Sequence, residues 1–406
     1  MESMAERLKS LGFKKAVSIS PSTAKSDVKL ESAVDGKIIQ NSLGEFVLKE
    51  TLYPMNHQHG VVTFHNDFHT ETINRTAKIT PESPSLERLL FIDTETSGLS
   101  GGTGTFAFLV GYGRFSSEGF LLTQLMIRDP GEEPAMLLHL INQINDKDIF
   151  VSFNGKSFDI PLLQNRLVLN RLPVKLREFQ HMDMLHISRK LWKYSLESCS
   201  LKTIESAILK FNRNSEDVPG WMIPDIYFAF LRTGDPSGLK EVVYHNAQDI
   251  LSLAALFIHV SKLLAGTLSP SCVPVDDLIA ISRIYWDLGS YEVSQKILKS
   301  ILPQTKTAEQ RVMINASLGR FFKKMGHLNE AIQYWQEAAE NGDAASCIEL
   351  AMYYEHSIKD YSTALHWCEK GLQASKNGDK NPASSRFLIS TQKRMTRLQF
   401  KRSNHV

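Results

Sequence analysis

At Leu89-Leu90-Phe91-Ile92 the chain runs through four consecutive apolar residues and then places Asp93 and Glu95 one residue apart. Side chains at i and i+2 of a strand point to the same face, so both carboxylates leave the end of a buried strand together. Such a pair repels unless a cation neutralises it, which is what a site for hard, oxygen-seeking divalent metals exploits. A buried strand ending in a solvated acidic turn is the other reading of an isolated pair. The rest of the chain decides between them.

A length of 406 residues predicts two or three domains, and 46 basic against 44 acidic residues give a formal charge of only +2. Any nucleic-acid contact must therefore come from a local patch rather than a global field. The four cysteines, at positions 199, 272, 347 and 368, show neither C-x-x-C spacing nor a zinc pattern. Their usage fits a reducing cytoplasm, the expected location. The N-terminus is charged from Glu2 and lacks the apolar core of a secretory signal. The apolar stretch from Leu251 to Leu264 is interrupted by His259 and Lys262 and is too short to cross a bilayer, so no membrane association is expected.

Residues 1–82 read as a strand-poor extension beside the next domain. Within it, Asn56-His57-Gln58-His59-Gly60 reads as a turn with polar side chains. From residue 83 to 268 the pattern is α/β: Leu89 to Thr96, Thr105 to Gly113 and Phe120 to Ile127 suggest an antiparallel meander with glycine-rich turns. Helical spacing at Met136, Leu137, Leu140, Ile141 and Ile144 leads to a short buried strand at Ile149 to Phe153. Helices are predicted at Leu162–Leu169, Asp183–Trp192, Leu201–Leu209 and Leu239–Leu264.

Two further acids occupy helical settings. Asp159 follows a strand and a polar turn and, ahead of Ile160-Pro161, suits a helix N-terminus. Asp249 lies among apolar neighbours such as Ala247, Ile250 and Leu251, where a carboxylate needs a partner or a metal.

The ordered set Asp93-x-Glu95, Asn154-x-x-x-Phe158-Asp159 and His245-x-x-x-Asp249 resembles the three motifs of the ribonuclease-H-like (DEDD exonuclease) superfamily. His181-Met182-Asp183, Ser200-Leu201-Lys202-Thr203 and Tyr244 to Asp249 are most similar to its bacterial YprB-type branch. The resemblance implies a mixed sheet with flanking helices, four metal-holding acids at Asp93, Glu95, Asp159 and Asp249, and two Mg2+ or Mn2+ ions. It also implies two-metal hydrolysis of nucleic acid, DNA or RNA, from a 3′ end. Thr96, Gly98 and Leu99 fall where similar enzymes bring the strand terminus to the metals, although Ser97 to Thr105 suits a tight turn equally well. Asn154 either bonds substrate or forms a turn. Asp183 recurs in this branch, but as a helix-initiating acid it stays outside the metal set.

The base position departs from the superfamily, which uses a histidine five residues before the last aspartate or a tyrosine four before it. Here Tyr244 stands at minus five and His245 at minus four. An i,i+4 pair lies about 40° apart around a helix and an i,i+5 pair about 140° apart, which makes His245 the candidate base. The exchange keeps open a catalytically inactive nucleic-acid- or protein-binding platform, and endonucleolytic cutting is a third possibility.

From 275 to 380 three helical hairpins align on Leu288-Gly289-Ser290-Tyr291, Met325-Gly326-His327-Leu328 and Ile358-Lys359-Asp360-Tyr361, with Ser294, Ala331 and Ala364 three residues further on. The spacing resembles a tetratricopeptide array, which implies an all-α repeat domain able to take a protein partner or guide a strand. Residues 381–406 read as a basic capping helix or tail.

Overall fold

The computed structural model describes residues 28–65, 69–80, 85–98, 104–214, 217–268, 273–376 and 382–404. These fall into two units: those within Met1–Asp67, Pro84–Met184 and Ile204–Ile258, and those within Phe68–Ser83, Leu185–Thr203 and His259–Val406.

The first unit is built on nine strands: β1 Lys37–Asn41, β2 Gly44–Pro54, β3 Gln58–His59, β4 Val62–Thr63, β5 Leu89–Thr96, β6 Ala107–Phe115, β7 Gly119–Met126, β8 Ile149–Ser152 and β9 Gln180–Asp183. Seven form one mixed sheet in the order β1-β2-β7-β6-β5-β8-β9. The meander β5-β6-β7 is antiparallel, whereas β5, β8 and β9 run parallel. Leu89, Leu90 and Phe91 are fully buried, as an unbroken apolar run in a central strand requires.

The 37–54 segment is not strand-poor. β2 pairs with β7 from Val47 to Pro54 and carries β1 on its other side. Its second half alternates half-buried and exposed residues, Lys49, Glu50 and Thr51 among them, so its apolar content alone conceals the strand. His59 is not in a solvated turn either: it is buried, stacks on Phe211 at 3.9 Å and bonds Ser252 Oγ at 2.8 Å. Burial, with the nearby His57 and Arg213, lowers its imidazole to about 3.

The helices that flank the sheet include α1 Glu133–Asn142, α2 Asp159–Leu169, α3 Ile223–Thr233 and α4 Ser237–Ala265. Met136, Leu137 and Leu140 of α1 and Ile160, Leu163 and Leu167 of α2 bury one stripe of each helix. By length and composition α4 could cross a membrane, yet 78% of its most apolar window is buried inside the protein. Residues 185–203, expected with the sheet, group with the helical unit, where Lys190 Nζ lies 3.6 Å from Asp287.

The second unit pairs its helices in sequence: α5 Val275–Asp287 with α6 Tyr291–Ile301, α7 Ala308–Lys324 with α8 Leu328–Glu340, and α9 Ala344–Tyr353 with α10 Tyr361–Lys376. Each hairpin turns on a left-handed residue: Gly289 at φ 77°, Gly326 at 82° and Lys359 at 64°. Ser294, Ala331 and Ala364 are buried where the paired helices approach.

The last helix, α11 Pro382–Ser403, packs on α10 and anchors through Glu355, whose side chain has no solvent exposure. Arg394 Nη1, Arg397 Nη2 and Lys401 Nζ donate to its carboxylate at 2.7, 2.8 and 2.9 Å. Burial pushes this acid up, but the hydrogen bonds from Arg397 and Lys401 overcome it and hold the carboxyl at about 2. That stabilisation is present above the ordinary glutamate range and is lost as pH falls toward 2. Glu355→Gln loosens α11 by about 1–3 kcal/mol. Faster amide exchange across Arg386–Arg402 at neutral pH is the expected result, and unchanged exchange contradicts the anchor.

Candidate active site

Asp93 and Glu95 leave β5 opposite Gly111 and Leu109 of β6, with a bulge between Glu95 and Thr96 ending the regular pairing. The face they share meets α4, where Asn246 Nδ2 donates to Asp93 Oδ2 at 2.9 Å. Gln124 Nε2 fixes that amide by donating to Asn246 Oδ1 at 3.0 Å and to the Val243 carbonyl at 2.8 Å. Gly111 makes the approach possible: a Cβ there would lie 2.1 Å from Asn246 Oδ1 and 2.4 Å from Ile250 Cδ1. Gly111→Ala therefore forces α4 away from β5, an overpacking that costs about 1–3 kcal/mol. A lower melting temperature and weaker metal binding are expected. Wild-type values for both contradict the close approach.

Asp159 opens α2, where the helix dipole favours a negative charge. Thr94 Oγ1 donates to its Oδ1 at 2.5 Å. The turn before it is fastened by Asp183 at the end of β9, which accepts from the Asn154 and Lys156 amides at 2.8 and 3.2 Å. Asp183 thus holds the loop that presents Asp159, a role beyond helix initiation. Asn154 takes a left-handed φ of 68°, the turn-forming half of its two readings. Gly155 leaves room for the carboxylate, since a Cβ there would lie 2.8 Å from Asp159 Oδ2.

Asp249 and His245 lie one turn apart on α4, with His245 Nε2 3.4 Å from Asp249 Oδ2. His245 Nδ1 lies 2.6 Å from Asp217 Oδ1 and 3.3 Å from Arg213 Nη1, which fixes the ring so that Nε2 faces Asp249. One ligand atom from each of Glu95, His245 and Asp249 can be chosen so that all lie within 4.8 Å of one another. Tyr244 lines a separate cavity of about 330 Å3 with Lys49, Tyr53 and Lys240. The i,i+4 geometry thus brings His245, not Tyr244, to the acids.

The electrostatics bind the four carboxylates into one group. Burial, followed by the charges of Asp249, Asp159 and Glu95, pushes Asp93 well above the carboxylate range, and burial with Asp249 and Asp159 does the same to Glu95. Burial raises Asp159 to about 6 against the opposing Thr94 hydrogen bond. Among the described residues no donor hydrogen-bonds the Glu95 carboxylate. Buried, mutually repelling oxygens, offset on one side by the Arg213 charge, are the donor chemistry that hard divalent cations satisfy.

The sequence model of the ribonuclease H superfamily matches residues 90–261, the span that carries all four acids. The chain is also 34% identical over 336 residues to the uncharacterized protein YprB of Bacillus subtilis (strain 168), covering 80% of each chain. The chain belongs to the YprB family.

Within this YprB-family site the sequence motifs leave several residues unmarked. Arg213 sits in a loop with no periodicity, yet its guanidinium is buried among three acids. Nη2 donates to Glu205 Oε1 at 2.6 Å and also pairs with Asp249, while Nη1 lies 3.3 Å from Asp217 Oδ1. Asn246 lies inside the His245-x-x-x-Asp249 motif without being marked by it, and no motif includes Asp217. Of the residues expected to meet substrate, Thr96 Oγ1 donates to the Gly98 carbonyl at 2.9 Å and so shapes the loop. Leu99 lies outside the described residues.

Proposed function

We propose that the chain is a metal-dependent nuclease that hydrolyses nucleic-acid phosphodiesters, working from a 3′ end. What supports this reading most is that Glu95, His245 and Asp249 can bring ligand atoms within 4.8 Å of one another, and that the charges of Asp249 and Asp159 raise the buried Asp93 and Glu95 carboxyls. Asp93, Glu95, Asp159 and Asp249 would hold two Mg2+ or Mn2+ ions. Bound there, the ions would supply the positive charge that eases ionisation of a water and that the departing 3′-oxygen needs.

The chain's own groups supply the rest. His245 Nε2 accepts the proton of the attacking water, and Asp217 keeps the imidazole oriented and stabilises it once charged. Asn246 and Gln124 hold Asp93 in place, while Thr94 and the Asp183-fastened turn hold Asp159. The loop through Thr96, Gly98 and Leu99, together with Asn154, would receive the strand end. The paired helices, read as tetratricopeptide-like repeats, would take a protein partner or guide the strand.

End-labelled single- and double-stranded DNA and RNA, incubated with Mg2+ or Mn2+, test the reading. Label loss is expected from the wild type and falls about 10²–10⁴-fold in His245→Ala. A circular substrate should resist, since it offers no end. Arg213 already neutralises part of Asp249, which favours a second reading as a non-cleaving platform. Binding without metal-dependent cleavage of any of the four substrates would select that reading and sink the nuclease.

A further inference from the structure

Two adjoining cavities in the helical unit, of about 320 and 210 Å3, share Arg283 of α5 and Ser317 and Arg320 of α7. Both arginines line both cavities, and burial, then the Arg320 charge, lower Arg283 against an opposing contribution from Tyr194. Arg320 Nη2 donates to Ser317 Oγ at 3.0 Å, but among the described residues neither arginine has a carboxylate within salt-bridge distance. The acids lining the cavities are engaged elsewhere. Asp287 faces Lys190 at 3.6 Å, Glu349 accepts from Lys323 at 2.5 Å, and Asp343 caps α9 by accepting from the Ser346 amide at 2.7 Å. Two like charges, the part-buried Arg283 and the exposed Arg320, therefore line the same cavities with their planar donor forks uncommitted to any acid. Guanidinium forks match carboxylates in two-point geometry.

Resting on the reading of the paired helices as a partner surface, we propose that this pair of cavities is a docking site for a protein partner bearing an acidic side chain next to an aliphatic one. Arg283 and Arg320 take the carboxylate at the junction, with the Ser317 hydroxyl beside it. The neighbouring side chain enters the smaller cavity, whose walls include Val312, Met313, Ala316, Ala345 and Trp335. Charge placement selects this occupant over a nucleic-acid strand. Asp287 borders one cavity and Asp343 and Glu349 the other, so a polyanion bringing a phosphate at every step meets carboxylates on both sides. A single carboxylate flanked by an apolar group does not.

The test is selection of a random octapeptide phage library on the immobilised full chain, followed by fluorescence anisotropy of the selected peptides. Enrichment of Asp or Glu beside Leu, Ile, Val or Met is expected, with affinity at least about tenfold weaker for Arg320→Ala and partly kept by Arg320→Lys. Arg320 is exposed, so its substitution spares the fold, and Arg283→Ala serves as the second variant with circular dichroism to confirm folding. Absence of binders, binders without an acidic position, or equal binding to Arg320→Ala overturns the proposal. So does a tenfold loss of single-stranded oligonucleotide affinity in Arg320→Ala with peptide binding unchanged. Peptide binding should survive Asp93→Asn, which separates this site from the nuclease reading.

Discussion

Asp93→Asn is expected to lower the proposed metal-dependent hydrolysis about 10³-fold, the equivalent of roughly 4 kcal/mol of transition-state stabilisation. The same substitution stabilises the protein without metal, and this pairing of effects is diagnostic. Asp93 is forced to share a desolvated locus with Glu95, Asp159 and Asp249, so its charge opposes folding unless a cation is present. The sign follows from linkage. An unfolded aspartate titrates near 4, whereas burial and like charge raise the folded Asp93 and Glu95 well above their ordinary values and Asp159 to about 6. The native state therefore holds more protons than the unfolded state above pH 4, and metal-free stability falls as pH rises through that window.

Asp93→Asn removes part of this penalty. Its melting temperature without metal should exceed the wild type's by about 2–4 °C for each kcal/mol relieved, with the difference growing between pH 4 and pH 7. Added Mn2+ should raise the wild-type melting temperature more at pH 7.5 than at pH 5, and the variant's much less. Calorimetry in EDTA and in MnCl2 measures both. A variant less stable than wild type in EDTA would mean that Asp93 serves as a structural hydrogen-bond acceptor for Asn246 rather than as one of four repelling acids.

Arg213→Met produces the second large effect, in the opposite direction. The Arg213 side chain is only 6% exposed and Glu205 only 2%, so removal of the guanidinium leaves a buried glutamate without its cation and releases Asp249 and Asp217. Breaking a buried pair in this way costs about 3–5 kcal/mol. Arg213→Lys keeps the charge but cannot serve three acids with one planar fork, and should fall between the two. Mn2+ should recover part of the loss in Arg213→Met, because a cation at Asp249 replaces one of the lost partners. Urea denaturation with and without Mn2+ provides the readout. Unchanged stability in Arg213→Met would show that these three acids do not depend on the arginine.

Much of this centre is written in local patterns. The apolar run before Asp93 marks a strand buried on both faces, the two-residue spacing puts Asp93 and Glu95 on one side of it, and the four-residue spacing puts His245 beside Asp249. Those relations need only backbone periodicity. The hairpin turns at Gly289, Gly326 and Lys359 are legible for the same reason. Strands β1 and β2 are not, since an edge pair with half its side chains in solvent carries polar residues that dilute the apolar pattern. Strand β9 has four residues, including His181 and Asp183, too few to display a period. Helix α3 begins with Ile223 and Pro224, and the proline that reads as a breaker is accommodated in the first turn. Arg213, Asp217 and Asn246 are set by tertiary contact alone: no spacing in the sequence says that a loop arginine will lie between Glu205 and Asp249.

Anomalous diffraction from crystals grown in MnCl2 shows whether the four carboxylates hold paired ions. Two manganese peaks ligated by Asp93, Glu95, Asp159 and Asp249 are the result required here. Manganese bound only elsewhere on the chain, or no peak beside these four carboxylates, contradicts it.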